Sequence, residues 1–220
     1  MHDTLKNLLK IIENVKLNIS IEDKSTVFPK VIAVSKTFKL DRIMPLIKHG
    51  HLDYGENKVQ EAVEKWTDIK KQNKNIKLHL IGRLQTNKVK IALKIFDYIH
   101  SLDSKKLANK ISSNQKENNL DKKFFIQVNI GNEEQKSGIA ESELLDFYNH
   151  CKNLNLNIIG LMCIPPLNED SVKYFIKMRD LNKKLGLKEL SMGMSADYLN
   201  AIKNGSTFVR IGSDIFGQRS

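Results

Sequence analysis

From residue 30 onward, short apolar runs that read as strands alternate with amphipathic stretches that read as helices, and this rhythm leaves few folds open. The strand candidates are KVIAVSK (30–36), HLDYGEN (51–57), KLHLIGR (77–83), YIHSLDS (98–104), FFIQVNI (124–130), NIIGLMCI (157–164), ELSMGMS (189–195) and the closing TFVRIGSDIFG (207–217). Helical patterns fill the intervals, such as DRIMPLIKHG and SVKYFIKMRDLNKKLG. The spacing is about 27 residues per unit, close to the ~30 of a βαβ block. VIAV, FFIQV and NIIGLM are nearly continuous apolar runs, as strands buried on both faces of a parallel sheet must be. An open doubly wound sheet is the alternative. No GxGxxG follows the first strand, and so many strands suit closure. The expected fold is therefore α/β, one (β/α)8 TIM-like barrel with an extra N-terminal helix, the whole of 1–220 forming a single domain.

The N-terminal stretch carries Leu5, Leu8, Leu9, Ile12 and Val15 at helical spacing with charges between them and no small-residue cleavage site. It reads as a packed amphipathic helix, not a signal peptide. No apolar run approaches the ~20 residues of a membrane span, so a cytoplasmic protein is expected. Two cysteines, Cys151 and Cys163, are too few for a disulfide framework or a metal cluster and read as buried, reduced thiols. The net charge of +11 raises nucleic-acid binding. The lysines are dispersed, however, with no long basic run and no interleaved aromatics to stack bases. A solvated Lys-rich surface is the better reading, and it suits a ligand that carries phosphate. No Pro/Gly-rich linker divides the chain. Pro165-Pro166 falls where a loop belongs, and the glycine-flanked GNEEQKSG (131–138) reads as a mobile loop with Lys136 solvated.

In such a barrel the functional residues gather at the C-terminal ends of the strands. The first strand ends Ser35-Lys36-Thr37. A lysine leaving an apolar strand has a dry stem, which disfavours the ammonium and makes the amine nucleophilic toward aldehydes; alternatively it exits to solvent. Gly55-Glu56-Asn57, Ile81-Gly82-Arg83 and Asp103-Ser104 end the next three strands, and Thr86, Asn87 and the Asp103-Ser104 pair read first as helix caps. The last two strands end in SMGMSAD and Val209-Arg210-Ile211-Gly212-Ser213. The loops after strands seven and eight are where many barrels hold phosphate. Gly193 and Gly212 let backbone N–H groups approach an anion, Ser195 and Ser213 offer hydroxyls, and a helix is expected directly after Ser195. Arg210 would be costly unpaired; it meets either an internal carboxylate or a ligand acceptor. An imine-forming lysine, a phosphate cradle and a nearby cation together describe a pyridoxal phosphate pocket.

The segments AVSKT (33–37), YGENKVQE (54–61), HLIGRLQTNK (79–88), VNIGNEEQKSGI (128–139), LSMGMSADYLNAI (190–202) and STFVRIGSDIFG (206–217) resemble, in order, the pyridoxal phosphate homeostasis protein family, single-domain relatives of the alanine racemase barrel. The resemblance implies pyridoxal 5′-phosphate as cofactor, held as an imine on Lys36. It implies that Ser195 and Ser213, with backbone groups around Met194 and Gly212, hold the phosphate. Arg210 would face the pyridine nitrogen and Asn57 the ring. Arginine there leaves that nitrogen unprotonated and the ring a weaker electron sink. Related racemases draw a tyrosine base from a second domain, for which the eight units leave only Gln218, Arg219 and Ser220. The expectation is a monomeric cofactor carrier in vitamin B6 homeostasis, without an efficient catalytic cycle, whose partners are the cofactor and client enzymes and not nucleic acid or membrane. A pyridoxal phosphate-dependent amino-acid racemase is the alternative. A cofactor-free Schiff-base aldolase and a nucleic-acid binder rank lower.

Overall fold

The computed structural model describes residues 2–19 and 28–218. Eight parallel strands close into one barrel in sequence order: β1 (Lys30–Val34), β2 (Asp53–Glu56), β3 (Lys77–Leu80), β4 (Tyr98–Leu102), β5 (Lys123–Gln127), β6 (Asn157–Met162), β7 (Glu189–Met194) and β8 (Phe208–Ile211). Closure is made where β8 returns to β1, with Ile32 beside Arg210 and Ala33 beside Ile211.

The helices wrap the outside. They are α1 (Asp3–Asn18), α2 (Leu40–Lys48), α3 (Val59–Gln72), α4 (Val89–Ile95), α5 (Lys105–Asn118), α6 (Leu144–Asn153), α7 (Ser171–Lys184), α8 (Tyr198–Lys203) and α9 (Ser213–Phe216). Successive side chains on a strand point to opposite faces, so each strand feeds two cores. Ile32, Val34, Tyr98, Phe125, Met162 and Phe208 fill the barrel interior. Val31, Ala33, Leu78, Leu80, Ile99, Phe124 and Val209 face outward into the larger core beneath the helices. This double burial is why the strands read as continuous apolar runs.

Three local expectations change. In α1 the buried stripe is Thr4, Leu8, Ile11 and Val15, while Leu5, Leu9 and Ile12 are half-buried. The helix is seated against α2, α8 and α9, and Asn7 and Asn14 donate to the Ile215 carbonyl and the Tyr198 hydroxyl at 3.1 and 3.2 Å. Thr86 and Asn87 are not caps. They form a tight 3-10 turn that leads into α4, behind Gln85, which makes no side-chain cap bond. Ser104 does cap α5, accepting from the Leu107 N–H at 3.3 Å. The loop 131–138 is tied down: Asn129 bonds both backbone groups of Glu133 (2.9 and 3.2 Å) and Gln127 donates to the Ser137 carbonyl (3.0 Å). Lys136 is half-buried, paired with Glu133 and donating to the Pro165 carbonyl at 3.1 Å, because that carbonyl and carboxylate converge on it.

Among the described residues no helix is long and apolar enough to cross a membrane, and no cluster of His, Cys, Asp and Glu could hold a metal ion. Cys151 and Cys163 are buried free thiols, both pushed up to about 12 by burial.

Candidate functional site

At the C-terminal mouth of the barrel a cavity of about 530 Å³ opens, within the range of small-molecule sites. Lys36, Asn57, Met194, Ser195, Arg210, Gly212 and Ser213 all line it, so closure of the barrel brings these seven together, while Gly193 lies just behind the lining.

Lys36 stands two residues beyond β1, half-buried, on a turn held from below. The following residue, Thr37, takes a φ of 68°. That left-handed conformation is strained for a β-branched residue and marks a backbone fixed by its surroundings. The fixing groups come from β2 and α3. Lys65 donates to the Ser35 carbonyl (2.9 Å), to Glu56 (3.0 Å) and to Glu61 (2.9 Å). Glu61 in turn accepts from the Thr37 N–H at 2.5 Å. Ser35 and Trp66 donate to the same Glu56 oxygen at 2.7 and 2.9 Å. Glu56 is fully buried, and among the described residues its other oxygen has no partner. Burial pushes the Glu56 carboxyl upward against the pull of Lys65, Trp66 and Ser35. Sequence reading noted Glu56 as a strand-end polar group, but the Glu56–Lys65–Glu61 tripod under the lysine turn was missed. Glu61 and Lys65 at i, i+4 on one helix were its visible trace.

Asn57 is set by Gly82: a Cβ there would sit 2.3 Å from the Asn57 carbonyl oxygen, so only glycine lets the two strand ends abut. Arg83 is exposed and Asp103 half-buried, and neither lines the cavity.

On the β7 side, Gly193 has φ +89° and lies against Ala201, where a Cβ would come within 2.5 Å. The helix does not start directly after Ser195. Residues 195–197 form a turn and α8 begins at Tyr198, because the Asp197 carboxylate turns back to accept the Met194 N–H at 2.7 Å. Met194 therefore lines the cavity with its N–H already committed. On the β8 side, Gly212 precedes the short α9, whose first residue is the exposed Ser213.

Arg210 is buried in the wall. Its guanidinium donates to the Ser191 carbonyl and hydroxyl (both 2.7 Å) and to the Cys163 carbonyl (2.8 Å). Among the described residues no carboxylate touches it, so the internal ion pair that sequence left open is not how it is held. Burial lowers its proton affinity, with Cys163 and Asp197 opposing. Behind it lies a second feature the sequence did not reveal. His100 contacts Ser191 (2.8 Å), His79 contacts His100 (3.0 Å), and Asp53 contacts His79 (3.0 Å). The trace was a histidine two residues inside each of the adjacent strands KLHL and YIHSL.

A half-buried lysine amine, a buried guanidinium with no carboxylate in contact among the described residues, and hydroxyls on two glycine-bearing loops form a donor set suited to an aldehyde-bearing, aromatic phosphate ester. Residues 10–220 match the family model described as alanine racemase, N-terminal domain. The pyridoxal phosphate homeostasis protein of Aquifex aeolicus is 37% identical over 97% of both chains. The human protein of the same name is 38% identical, over 90% of this chain and 79% of its own. PipY of Synechococcus elongatus, solved with PLP bound, superposes with a TM-score of 0.85 at 29% identity over 97% of this chain and 100% of that one.

Proposed function

We propose, for a chain that belongs to the alanine racemase N-terminal domain family and within it to the pyridoxal phosphate homeostasis proteins, that it binds pyridoxal 5′-phosphate at the barrel mouth through the amine of Lys36 and serves vitamin B6 homeostasis as a carrier. The observation that carries this reading is the convergence of Lys36, Arg210, Ser195, Gly212 and Ser213 on one cavity.

When bound, the cofactor supplies an aldehyde carbon and an electron-accepting ring. Lys36 offers its Nζ to that carbon, from a turn whose position the Glu56–Lys65–Glu61 tripod fixes. Arg210 would donate to the ring nitrogen. A guanidinium stays protonated, so it holds that nitrogen as an acceptor and keeps a proton off it. Ser195 and Ser213, with the backbone at Gly212, would hold the phosphate from the two loops, and Asn57 would flank the ring. Met194 serves as wall, its N–H being held by Asp197. Of the described residues lining the cavity, Lys36 and Arg210 are the titratable ones. A racemase needs an acid–base group on each face of the substrate carbon, so carriage is the role this lining favours.

The test is the visible spectrum of the protein given pyridoxal phosphate, beside Lys36→Ala. The expected result is a yellow band that the variant lacks and that borohydride traps as mass added to Lys36. A colourless wild type overturns the reading. Turnover of D- or L-alanine at rates typical of racemases overturns the carrier role.

A further inference from the structure

We propose that Asp53, His79, His100 and Ser191 form one polarised hydrogen-bond relay through the barrel interior that fixes Arg210 and brings it a further, distant counter-charge, making these four the positioning residues of the ring-facing cation. The inference rests on the cofactor reading above for what Arg210 faces, but the relay itself is a property of the protein alone.

The contacts run unbroken across five strands: Asp53 Oδ1 to His79 Nε2 (3.0 Å), His79 Nδ1 to His100 Nε2 (3.0 Å), His100 Nδ1 to Ser191 Oγ (2.8 Å) and Ser191 Oγ to Arg210 Nη1 (2.7 Å). The rings have little freedom. His79 stacks on Tyr98 (centroids 4.4 Å apart) and His100 on Phe125 (4.3 Å), with Phe208 beside both.

The direction of the relay follows from its ends. Arg210 can only donate, so Ser191 Oγ accepts from it. Asp53 ends the chain as an acceptor: burial works against its charge, but the bond it accepts from His79 and the nearby charge of Lys30 hold its carboxyl below the usual range. Both histidines are fully buried, and burial keeps each ring neutral, His100 further disfavoured as a cation by the charge of Arg210. A neutral ring has one donor and one acceptor. His79 must therefore present Nε2–H to Asp53 and accept at Nδ1. His100 then presents Nε2–H to His79 and accepts at Nδ1 from the Ser191 hydroxyl. Every bond dipole in the chain points the same way, from the guanidinium toward the carboxylate. The opposite arrangement would set a bare ring nitrogen against the Asp53 carboxylate.

Among the described residues no carboxylate touches Arg210, and besides the charge of nearby Asp197 the relay brings it that of Asp53. Asp53 lies at the N-terminal end of β2, at the far end of the barrel from the cavity, and its charge reaches Arg210 as aligned dipoles in a low-dielectric interior. The same chain holds Ser191 Oγ in one orientation, and so orients the guanidinium edge that meets the ligand.

The test is Asp53→Asn, a change remote from the cavity. Histidine-labelled protein without cofactor is examined by 15N NMR, and retention of pyridoxal phosphate is measured by dialysis. The expected wild-type spectrum has His79 and His100 neutral and protonated at Nε2. In Asp53→Asn the His100 nitrogen resonances move, and retention weakens about tenfold, the size of one lost charge-assisted bond. A wild-type His100 protonated at Nδ1, or an Asp53→Asn protein with unchanged His100 resonances and unchanged retention, overturns the relay. If that variant does not fold, Ser191→Ala breaks the chain beside Arg210. Weakened retention with a native melting profile supports the relay, and unchanged retention overturns it. Absence of cofactor binding in the wild type would sink the functional reading and leave the NMR result to decide the relay.

Discussion

Replacing Lys65 with methionine tests whether the turn that carries Lys36 is held by charge. The substitution keeps the alkyl stem and removes the ammonium that bonds Ser35, Glu56 and Glu61. Glu56 is fully buried and already has one unpartnered oxygen. Without Lys65 its charge is met only by Ser35 and Trp66, a situation that costs about 3–5 kcal/mol. Glu56 has an escape, which is to take up a proton. From an ordinary value of 4.5, neutralising it at pH 7 costs about 3.4 kcal/mol, and at pH 5 about 0.7 kcal/mol. The folded carboxyl is already raised by burial, so its stabilising protonated form is fully present below the unfolded value and is lost as pH rises through the folded one. Removing Lys65 raises the folded value further. The deficit of Lys65→Met relative to wild type must therefore grow from pH 5 to pH 7, by at most about 2–3 kcal/mol. For a chain of this length the loss at pH 7 lowers Tm by roughly 10 °C. Urea unfolding at both pH values, with Glu56→Gln alone and combined with Lys65→Met, is the assay. The double variant is expected to recover most of the loss at pH 7. An equal deficit at both pH values with no recovery would refute the argument and leave Lys65 as a packing residue.

Gly82→Ala is expected to lower stability by about 1–3 kcal/mol and to weaken cofactor retention. Its Cβ would lie 2.3 Å from the Asn57 carbonyl and can be seated only by moving backbone at the mouth; thermal melts and dialysis measure the two effects, and an unchanged melt with unchanged retention would contradict the clash. Cys151 and Cys163 are expected to resist a thiol reagent at pH 8 in the native state and to react once urea unfolds the chain, since burial raises both thiols to about 12 and thiolate is the reacting form. Rapid native labelling of either would contradict their burial.

The strands, their parallel pairing and the closed barrel were legible because they follow from local periodicity: an apolar run buried on both faces carries that fact in its own composition. That Lys36, Asn57, Ser195, Arg210, Gly212 and Ser213 share one mouth was legible for a related reason, since the end of a barrel strand fixes which mouth a residue faces. Less was readable where two elements compete for one group. Asp197 takes the Met194 N–H and delays α8 to Tyr198, and Pro165 and Glu133 capture Lys136. Both outcomes depend on where a neighbouring carbonyl or carboxylate lies in space.

The sequence by itself determined the (β/α)8 rhythm, the amphipathic N-terminal helix and the residues at the strand ends, because each is written within a few consecutive positions. Tertiary structure alone decided what stands behind them. Asp53, His79, His100, Ser191 and Arg210 lie on five different strands, up to 91 residues apart between bonded partners. They meet only because the sheet closes on itself and turns its alternate side chains inward. No spacing along the chain encodes that closure at the level of a single hydrogen bond; it arises when the apolar faces of all eight strands are buried together.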